Sequence, residues 1–241
     1  MTTTDEPRSG ARAVDRAIAV LTCFEGDDPE LTLSELAQLA DLPLSTTHRL
    51  AQALVRGRLL EQDPATDRYR VGHTLASLAR PALTRLGLDS AAPHLYALAA
   101  GIRITVSVSM VEQRDAVTVF QARPPVSFCH HQVPRARQSL RTSAAGQALL
   151  NQDGVGRTGF ASELIPTDDP IRAVAVPILG SDRRVRGALA VQARSARLDD
   201  ELLRSVVPAL RIAAGRIAPL FQTGGVTTDL ESVPAAELRS R

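Results

Sequence analysis

Lysine is absent from this 241-residue sequence, so all 28 of its strongly basic side chains are arginines. They face 26 acidic residues, which leaves a formal net charge of +2. A charge this small excludes any argument for nucleic-acid binding from overall electrostatics, so such a case must rest on where the arginines lie. Arginine suits phosphate and guanine recognition, but a coding bias towards alanine and arginine explains the same composition.

Cysteine is also scarce. The two residues, Cys23 and Cys129, are far apart and lack metal-ligand spacing, which argues against a secreted disulfide framework. The sequence has no apolar run of about 18 residues, the minimum for a membrane-spanning helix. Residues 1–10 lack the apolar segment of a signal peptide. We therefore expect a cytoplasmic protein without a membrane partner.

Several enzyme signatures are missing as well. The sequence has no phosphate-binding glycine loop, no Gly-x-Ser-x-Gly elbow and no His-Glu-x-x-His pair. Its adjacent carboxylates at 168–169 and 199–200 stand where turns and helix starts are expected, so capping explains them. We predict that the protein is not an enzyme and needs no cofactor.

Two helices are predicted at the start of a first block, residues 13–72. Apolar residues recur at helical spacing from Val14 to Leu21, and the run Gly26–Pro29 ends that helix. Thr32 and Glu35 then form a capping-box pattern, in which a hydroxyl and a carboxylate satisfy backbone N–H groups reciprocally. A second helix therefore follows Thr32.

A third helix is predicted after a tight turn at 41–43, with Ser45 as its N-terminal cap. Its inward face carries Thr47, Leu50 and Leu54. Its opposite face carries Ser45, Thr46, His48, Arg49, Gln52 and Arg56. Short hydroxyls and an arginine near the N-terminal end of a helix are what a DNA recognition helix uses. An ordinary solvated helix face is the alternative.

The period changes after Gly57, where residues 59–62 and 67–71 predict two strands joined by a turn at 63–66. Helix, helix, turn, helix and hairpin is the order of a winged helix-turn-helix. Arg68 and Arg70 project from one face of the hairpin, where a wing meets the DNA backbone. The predicted DNA-binding residues are Thr32, Ser34, Ser45, Thr46, His48, Arg49, Gln52, Arg56, Arg68 and Arg70.

The rest of the chain predicts a linker helix and a second domain of the α+β class. The linker contains Pro81, which predicts a kink or break, and residues 104–110 alternate as a half-buried strand does. Further strands are predicted at 117–122, 174–179 and 185–192. Helices are predicted at 93–100 and 198–220, and a third runs through Leu150 with Ser143 as its N-terminal cap. The predicted segments are a disordered tail (1–12), a winged helix-turn-helix domain (13–72), a linker helix (73–90), an antiparallel-sheet domain (91–222) and a second disordered tail (223–241).

Four segments of the first block resemble the DNA-binding domain of IclR-type transcriptional regulators: residues 13–21, 31–37, 42–50 and 67–72. The second block resembles that family's effector-binding domain, a GAF-like sheet with helices, at residues 141–150, 159–160 and 171–177. The resemblance implies a homodimer or tetramer that binds palindromic double-stranded operators. It also implies control by a small effector that usually carries a carboxylate.

By position, the resemblance places the effector beside Ala144, Ala145, Glu163, Ala173, Ala190 and Gln192. The sequence departs from the family in two ways: little remains of a helical stretch at 151–158, and alanine replaces the common cysteine or hydroxyl side chains at 173 and 190. A second domain that only oligomerises and binds no effector is therefore the alternative.

Phe128-Cys129-His130-His131 offers one further possibility, a metal or redox site, because cysteine and histidine are metal ligands. Neighbouring residues of an extended segment point to opposite sides, and no second cluster supplies the missing ligands. We interpret the segment as a loop with incidental histidines. Cys23 is interpreted as a small core residue of the first helix.

Overall fold

The structure, a computed structural model, describes residues 9–25, 28–125, 133–150, 155 and 158–221. The chain divides into two compact units, with the boundary between Ala82 and Leu83. No helix in the described ranges is long and apolar enough to cross a membrane. The tail predicted at 223–241 lies outside the described residues.

In its described residues the first unit contains four helices and three short strands, the last helix continuing past the boundary. In chain order they are α1 (Ser9–Thr22), β1 (Glu30–Leu31), α2 (Leu33–Leu39), α3 (Leu44–Arg56), β2 (Leu60–Gln62), β3 (Tyr69–Val71) and α4 (His73–Arg85). A short 3₁₀ turn, Cys23–Glu25, follows α1. The helix begins at Ser9, so residues 9–12, which the sequence assigned to a disordered tail, are helical.

The capping box predicted for α2 is confirmed. The Thr32 hydroxyl accepts the Glu35 N–H at 3.3 Å, and the Glu35 carboxylate accepts the Thr32 N–H at 2.7 Å. Two of the first-turn donors are thereby satisfied, which fixes where α2 begins. The apolar faces of α1, α2 and α3 meet in a small core around Val20, Leu36 and Leu54.

The hairpin is present, and a strand that the sequence did not predict joins it. The sheet order is β1–β3–β2, with Glu30 opposite Arg70 and Leu31 opposite Tyr69. Two residues are too few to show the alternation by which strands are recognised. The buried Tyr69 ring ties this sheet to the helical core.

Arg58 holds a backbone conformation that glycine prefers, with φ of 56°. It ends α3 in a Schellman-type cap, in which the Leu59 N–H reaches the Leu54 carbonyl at 2.9 Å. We expect Arg58→Gly to raise the free energy of unfolding by about 1 kcal/mol, because a Cβ is strained in this region. Arg56→Gly, the same exchange inside the helix, should lower it by about 1 kcal/mol. Urea denaturation of both variants checks this; a loss of stability in both would contradict it.

The second unit is built on a sheet that has six strands in the described part of the chain. Its elements are α5 (Leu88–Ile102), β4 (Val106–Glu112), β5 (Asp115–Ala122), β6 (Arg137–Ser139), α6 (Ala144–Leu150), β7 (Ala161–Ile165), β8 (Ile171–Leu179), β9 (Val185–Arg194) and α7 (Asp200–Ile217). The strand order is β6–β5–β4–β9–β8–β7, with every pair antiparallel. Helices α5 and α7 cover one face, and α6 covers the other.

Both faces of the central strands are therefore buried, which corrects the prediction of a half-buried strand at 104–110. Val106 and Val108 point into the core beneath α5 and α7. Ser107 and Ser109 point to the other face and are equally buried. Apolar and polar residues do alternate along β4, but the serines are covered by α6 rather than exposed to solvent. Helix α4 also runs through Pro81 without a break.

Candidate DNA-binding surface and ligand site

The outer face of α3 is exposed, as its sequence pattern predicted. Ser45, His48, Arg49 and Arg56 are exposed and Thr46 is half-buried. Ser45 is not the cap, which corrects the sequence prediction: α3 begins at Leu44, the cap position is Pro43, and no side chain caps the helix. The N–H groups of the first turn are thus left without a side-chain acceptor, which favours an anion there.

Arg49 forms no ion pair with any residue in the described ranges. It lies in the N-terminal half of α3, on the side opposite the buried Thr47 and Ala51. Arg56 is seven residues further on, about 10 Å along the helix axis. Arg49 is therefore the charged side chain best placed beside the uncapped first turn.

Gln52 is turned away from solvent, towards the hairpin. Its amide donates to Gln62 Oε1 at 2.9 Å and lies 3.3 Å from the Tyr69 hydroxyl. The sequence predicted Gln52 as a DNA contact from its place on the outer face. In the structure its amide instead links α3 to β2 and β3.

The hairpin arginines, predicted to meet DNA phosphates, already have acidic partners. Arg68 Nη2 donates to the Glu30 carbonyl at 2.9 Å and to Glu35 Oε2 at 3.3 Å. Arg70 Nε donates to Glu61 Oε2 at 3.1 Å. These exposed pairs contribute little to stability, but a phosphate must compete with a carboxylate for each guanidinium.

The carboxylates of this group are correspondingly acidic. The ring of His73, and then the guanidinium of Arg70, hold the pKa of Glu61 below its usual range. The Thr32 backbone N–H lowers the pKa of Glu35. The hydroxyl of Thr32, another predicted DNA contact, donates to Glu35 Oε2 at 2.9 Å, whereas Ser34 is exposed on α2.

The four predicted effector residues that lie on strands share one face of the sheet: Glu163, Ala173, Ala190 and Gln192. Ala173 lies opposite Gln192 on one side and Glu163 on the other. Ala190 pairs with Ala175 and Ser107 in the next row. Strand pairing thus brings Glu163 and Gln192, which are 29 residues apart in the sequence, into one row.

Helix α6 covers this face, and its first turn is already bonded. Ser143 caps the helix as predicted, because its hydroxyl accepts the Gly146 N–H at 3.0 Å. The Ala144 N–H donates to Glu163 Oε2 at 2.9 Å. Ala145 is buried beside it, and the Gln192 amide donates to the Val133 carbonyl at 2.6 Å.

Two sets of residues at these sites were not predicted from the sequence. Ser107 and Ser109 place buried hydroxyls on the sheet face that carries Ala190, with the Ser107 hydroxyl 3.4 Å from the Ala190 carbonyl. Their signal was available, because they alternate with Val106 and Val108. Leu44 stands exposed at the first position of α3, one residue before Ser45, which was predicted as the cap.

The cysteines give no further site within the described residues. The segment Phe128–His131 lies outside them, and no group of three or more potential metal ligands occurs inside them. The Cys23 thiol donates to the Ala19 carbonyl at 3.1 Å, and partial burial raises its pKa.

Comparison with known proteins identifies the first unit. The model of the IclR helix-turn-helix domain matches residues 13–64, from α1 to the hairpin. The HTH-type transcriptional regulator BhcR of Paracoccus denitrificans is 27% identical, over 97% of this chain and 81% of its own length. Residues 13–64 therefore form a helix-turn-helix domain of the IclR type. This IclR-type protein is a sequence-specific DNA-binding transcriptional regulator.

Solved IclR structures share the fold of this regulator. An IclR transcriptional regulator from Alicyclobacillus acidocaldarius superposes with a TM-score of 0.68 at 21% identity, covering 88% of this chain and 99% of its own. An IclR homologue from Microbacterium hydrocarbonoxydans, solved in complex with 4-hydroxybenzoate, has a TM-score of 0.65 at 19% identity, covering 87% and 98%. Both likenesses concern the fold.

Proposed function

We propose that this regulator inserts α3 into the major groove of its operator, with Arg49 as the principal base-reading side chain. The observation that carries the proposal is an exposed Arg49, without an ion pair among the described residues, beside the uncapped first turn of α3. Helix N-termini bind phosphate through their backbone N–H groups, and an arginine fork fits the O6 and N7 acceptors of guanine. Ser45, Thr46 and His48 complete this surface.

The remaining predicted DNA contacts take supporting roles in this proposal. Arg68 and Arg70 can bind phosphates only by giving up a carboxylate partner. The two wing arginines therefore add little to the free energy of DNA binding. Gln52 acts by joining α3 to the wing, and Thr32 by capping α2. Ser34 and Arg56 remain exposed for contacts with the DNA backbone.

A second copy of the chain is the proposed partner on DNA. Val14 and Ile18, one turn apart on α1, are 59% and 51% exposed. Two large apolar side chains at this spacing form an apolar strip on the helix. The same strip of a second copy can pack against it, and this pairing buries both. A two-fold dimer then requires a palindromic operator with half-sites about 34 Å apart, or a multiple of that distance. Access to chromosomal DNA implies a cytoplasmic location.

A small organic acid is the proposed effector, held between α6 and the face that carries Ala173, Ala190 and Gln192. The Ala144 N–H binds the Glu163 carboxylate at 2.9 Å, so an acid that takes the place of this side chain meets the same donor. The Microbacterium hydrocarbonoxydans homologue carries such an acid in its complex. Regulation follows if the acid binds the DNA-competent and incompetent arrangements with different affinities. No catalytic step is assigned to this chain.

A ligand-free second unit is the other candidate. Alanine at 173 and 190 offers an acid no side-chain donor, and α6 packs directly on this alanine-rich face. In that case the unit only oligomerises, and DNA binding responds to no small acid.

Thermal unfolding with matched ligands separates the two candidates. A screen of aliphatic and aromatic acids should contain at least one that raises the melting temperature, since ligand at about 100 times its Kd adds about 2.7 kcal/mol. The uncharged amide of the same acid, such as 4-hydroxybenzamide beside 4-hydroxybenzoate, should raise it much less. No shift with any acid supports the ligand-free unit, and equal shifts by acid and amide would contradict recognition of the carboxylate.

A further inference from the structure

Leu44 is an apolar side chain at the tip of the helix that the proposed function places in the major groove. It is the first residue of α3 and is 52% exposed. It does not belong to the core that the described residues of the first unit build around Leu36 and Leu54. Packing inside the described part of the first unit therefore does not explain why position 44 is a leucine.

The exposed side chains that follow Leu44 on α3 are polar. Ser45 follows it directly, and His48 lies one turn further along α3, where i and i+4 side chains adjoin. Arg49 is the next exposed residue. Leu44 is thus an apolar group at the edge of the surface that contacts base edges in the proposed complex.

The major groove presents one apolar group, the 5-methyl of thymine. We propose that Leu44 contacts this methyl and so selects a T·A base pair in each operator half-site. Leu44 lies five residues before Arg49, about 7.5 Å along the helix axis, so the contacted pair lies in the same half-site as the base that Arg49 reads. This inference rests on the proposed placement of α3 in the groove.

Deoxyuridine substitution tests the contact, because uracil differs from thymine only by the missing methyl. The probe is a duplex selected from random DNA by the purified full-length protein, with each thymine replaced in turn. Removal of the contacted methyl should weaken wild-type binding about fourfold, the value for one buried methyl group. Leu44→Ala should bind the parent duplex at least about fourfold more weakly than the wild type does. It should show no further loss of affinity on the duplex in which that one thymine is replaced by deoxyuridine.

Leu39→Ala is the matched control. Leu39 is 61% exposed at the end of α2 and also stands outside the core, so its removal should leave the full deoxyuridine penalty in place. Leu44→Met, which keeps an apolar side chain of similar length, should retain most of the penalty. Circular dichroism of each variant shows that the fold is unchanged.

Two results would overturn the inference: no single deoxyuridine weakens the wild type, or Leu44→Ala suffers the same penalty as the wild type at every thymine. Arg49→Ala, measured in parallel, separates the two levels of the proposal. If Arg49→Ala weakens binding while Leu44→Ala loses no methyl preference, only the leucine contact fails. If neither variant changes binding, the placement of α3 fails as well.

Discussion

Arg49→Ala is expected to weaken operator binding by about ten- to a hundredfold, which corresponds to about 1–3 kcal/mol for one arginine–guanine contact. The guanidinium is exposed and has no carboxylate partner in the described part of the chain, so its removal leaves the folded unit intact. The loss should therefore fall on the specific complex. Fluorescence anisotropy with the selected duplex measures it directly.

Arg12→Ala provides the charge-matched control for Arg49→Ala. Arg12 is also exposed, but it lies on α1 rather than on the recognition helix, so removing its charge should change specific affinity far less. Binding of a scrambled duplex corrects for the general loss of one positive charge. Equal effects of the two substitutions on the selected duplex would mean that α3 does not read the bases.

Gly146→Ala is expected to destabilise the second unit by about 3 kcal/mol, because the added methyl has no room. A Cβ at this position would lie 2.4 Å from Leu140 Cα and from the carbonyl oxygens of Leu140 and Ser139. These are backbone atoms and cannot rotate away as a side chain would. The first turns of α6 must lift off residues 139–140, which should also impair the proposed acid site.

Gly101→Ala is the control for Gly146→Ala. Gly101 also lies within a helix, α5, but a Cβ there meets no atom within 4 Å. Alanine should then stabilise the protein by about 0.5–1 kcal/mol through its better helix propensity. Calorimetry should show melting about 5–10 °C lower for Gly146→Ala and unchanged or higher for Gly101→Ala. Similar melting of both variants would show that α6 packs less closely than the structure indicates.

Local sequence patterns were sufficient for most of the fold. The capping box at Thr32 and Glu35, the Ser143 cap of α6 and the alternation of β4 each involve residues within seven positions of one another. Such patterns depend on one helix turn or one strand, and the structure confirms all three elements. The α+β class and the winged helix-turn-helix follow from the order of these elements.

Contacts between distant residues were not available from the same patterns. The outer face of α3 predicted that Gln52 meets solvent, but its partners Gln62 and Tyr69 stand 10 and 17 residues away. Arg68 donates to the backbone carbonyl of Glu30, which lies 38 residues earlier in the sequence. The half-buried interpretation of β4 was wrong because α6 returns to cover the second sheet face.

The candidate sites divide in the same way. Helical periodicity alone was enough to place Arg49 on the outer surface of α3. The predicted effector residues instead came from family resemblance, since only strand pairing brings Glu163, Ala173 and Gln192 into one row. Leu44 was overlooked because serine is a preferred cap, whereas the actual helix starts one residue earlier, after Pro43.

Binding of the purified full-length protein to its own upstream DNA, across a salt series and against scrambled competitor, tests the regulator assignment and its winged-helix surface most directly. We expect tight, sequence-selective binding whose logarithm falls steeply and linearly with the logarithm of salt concentration, as counterions are released from contacted phosphates. Weak binding that is indifferent to sequence at every salt concentration would contradict operator recognition by α3.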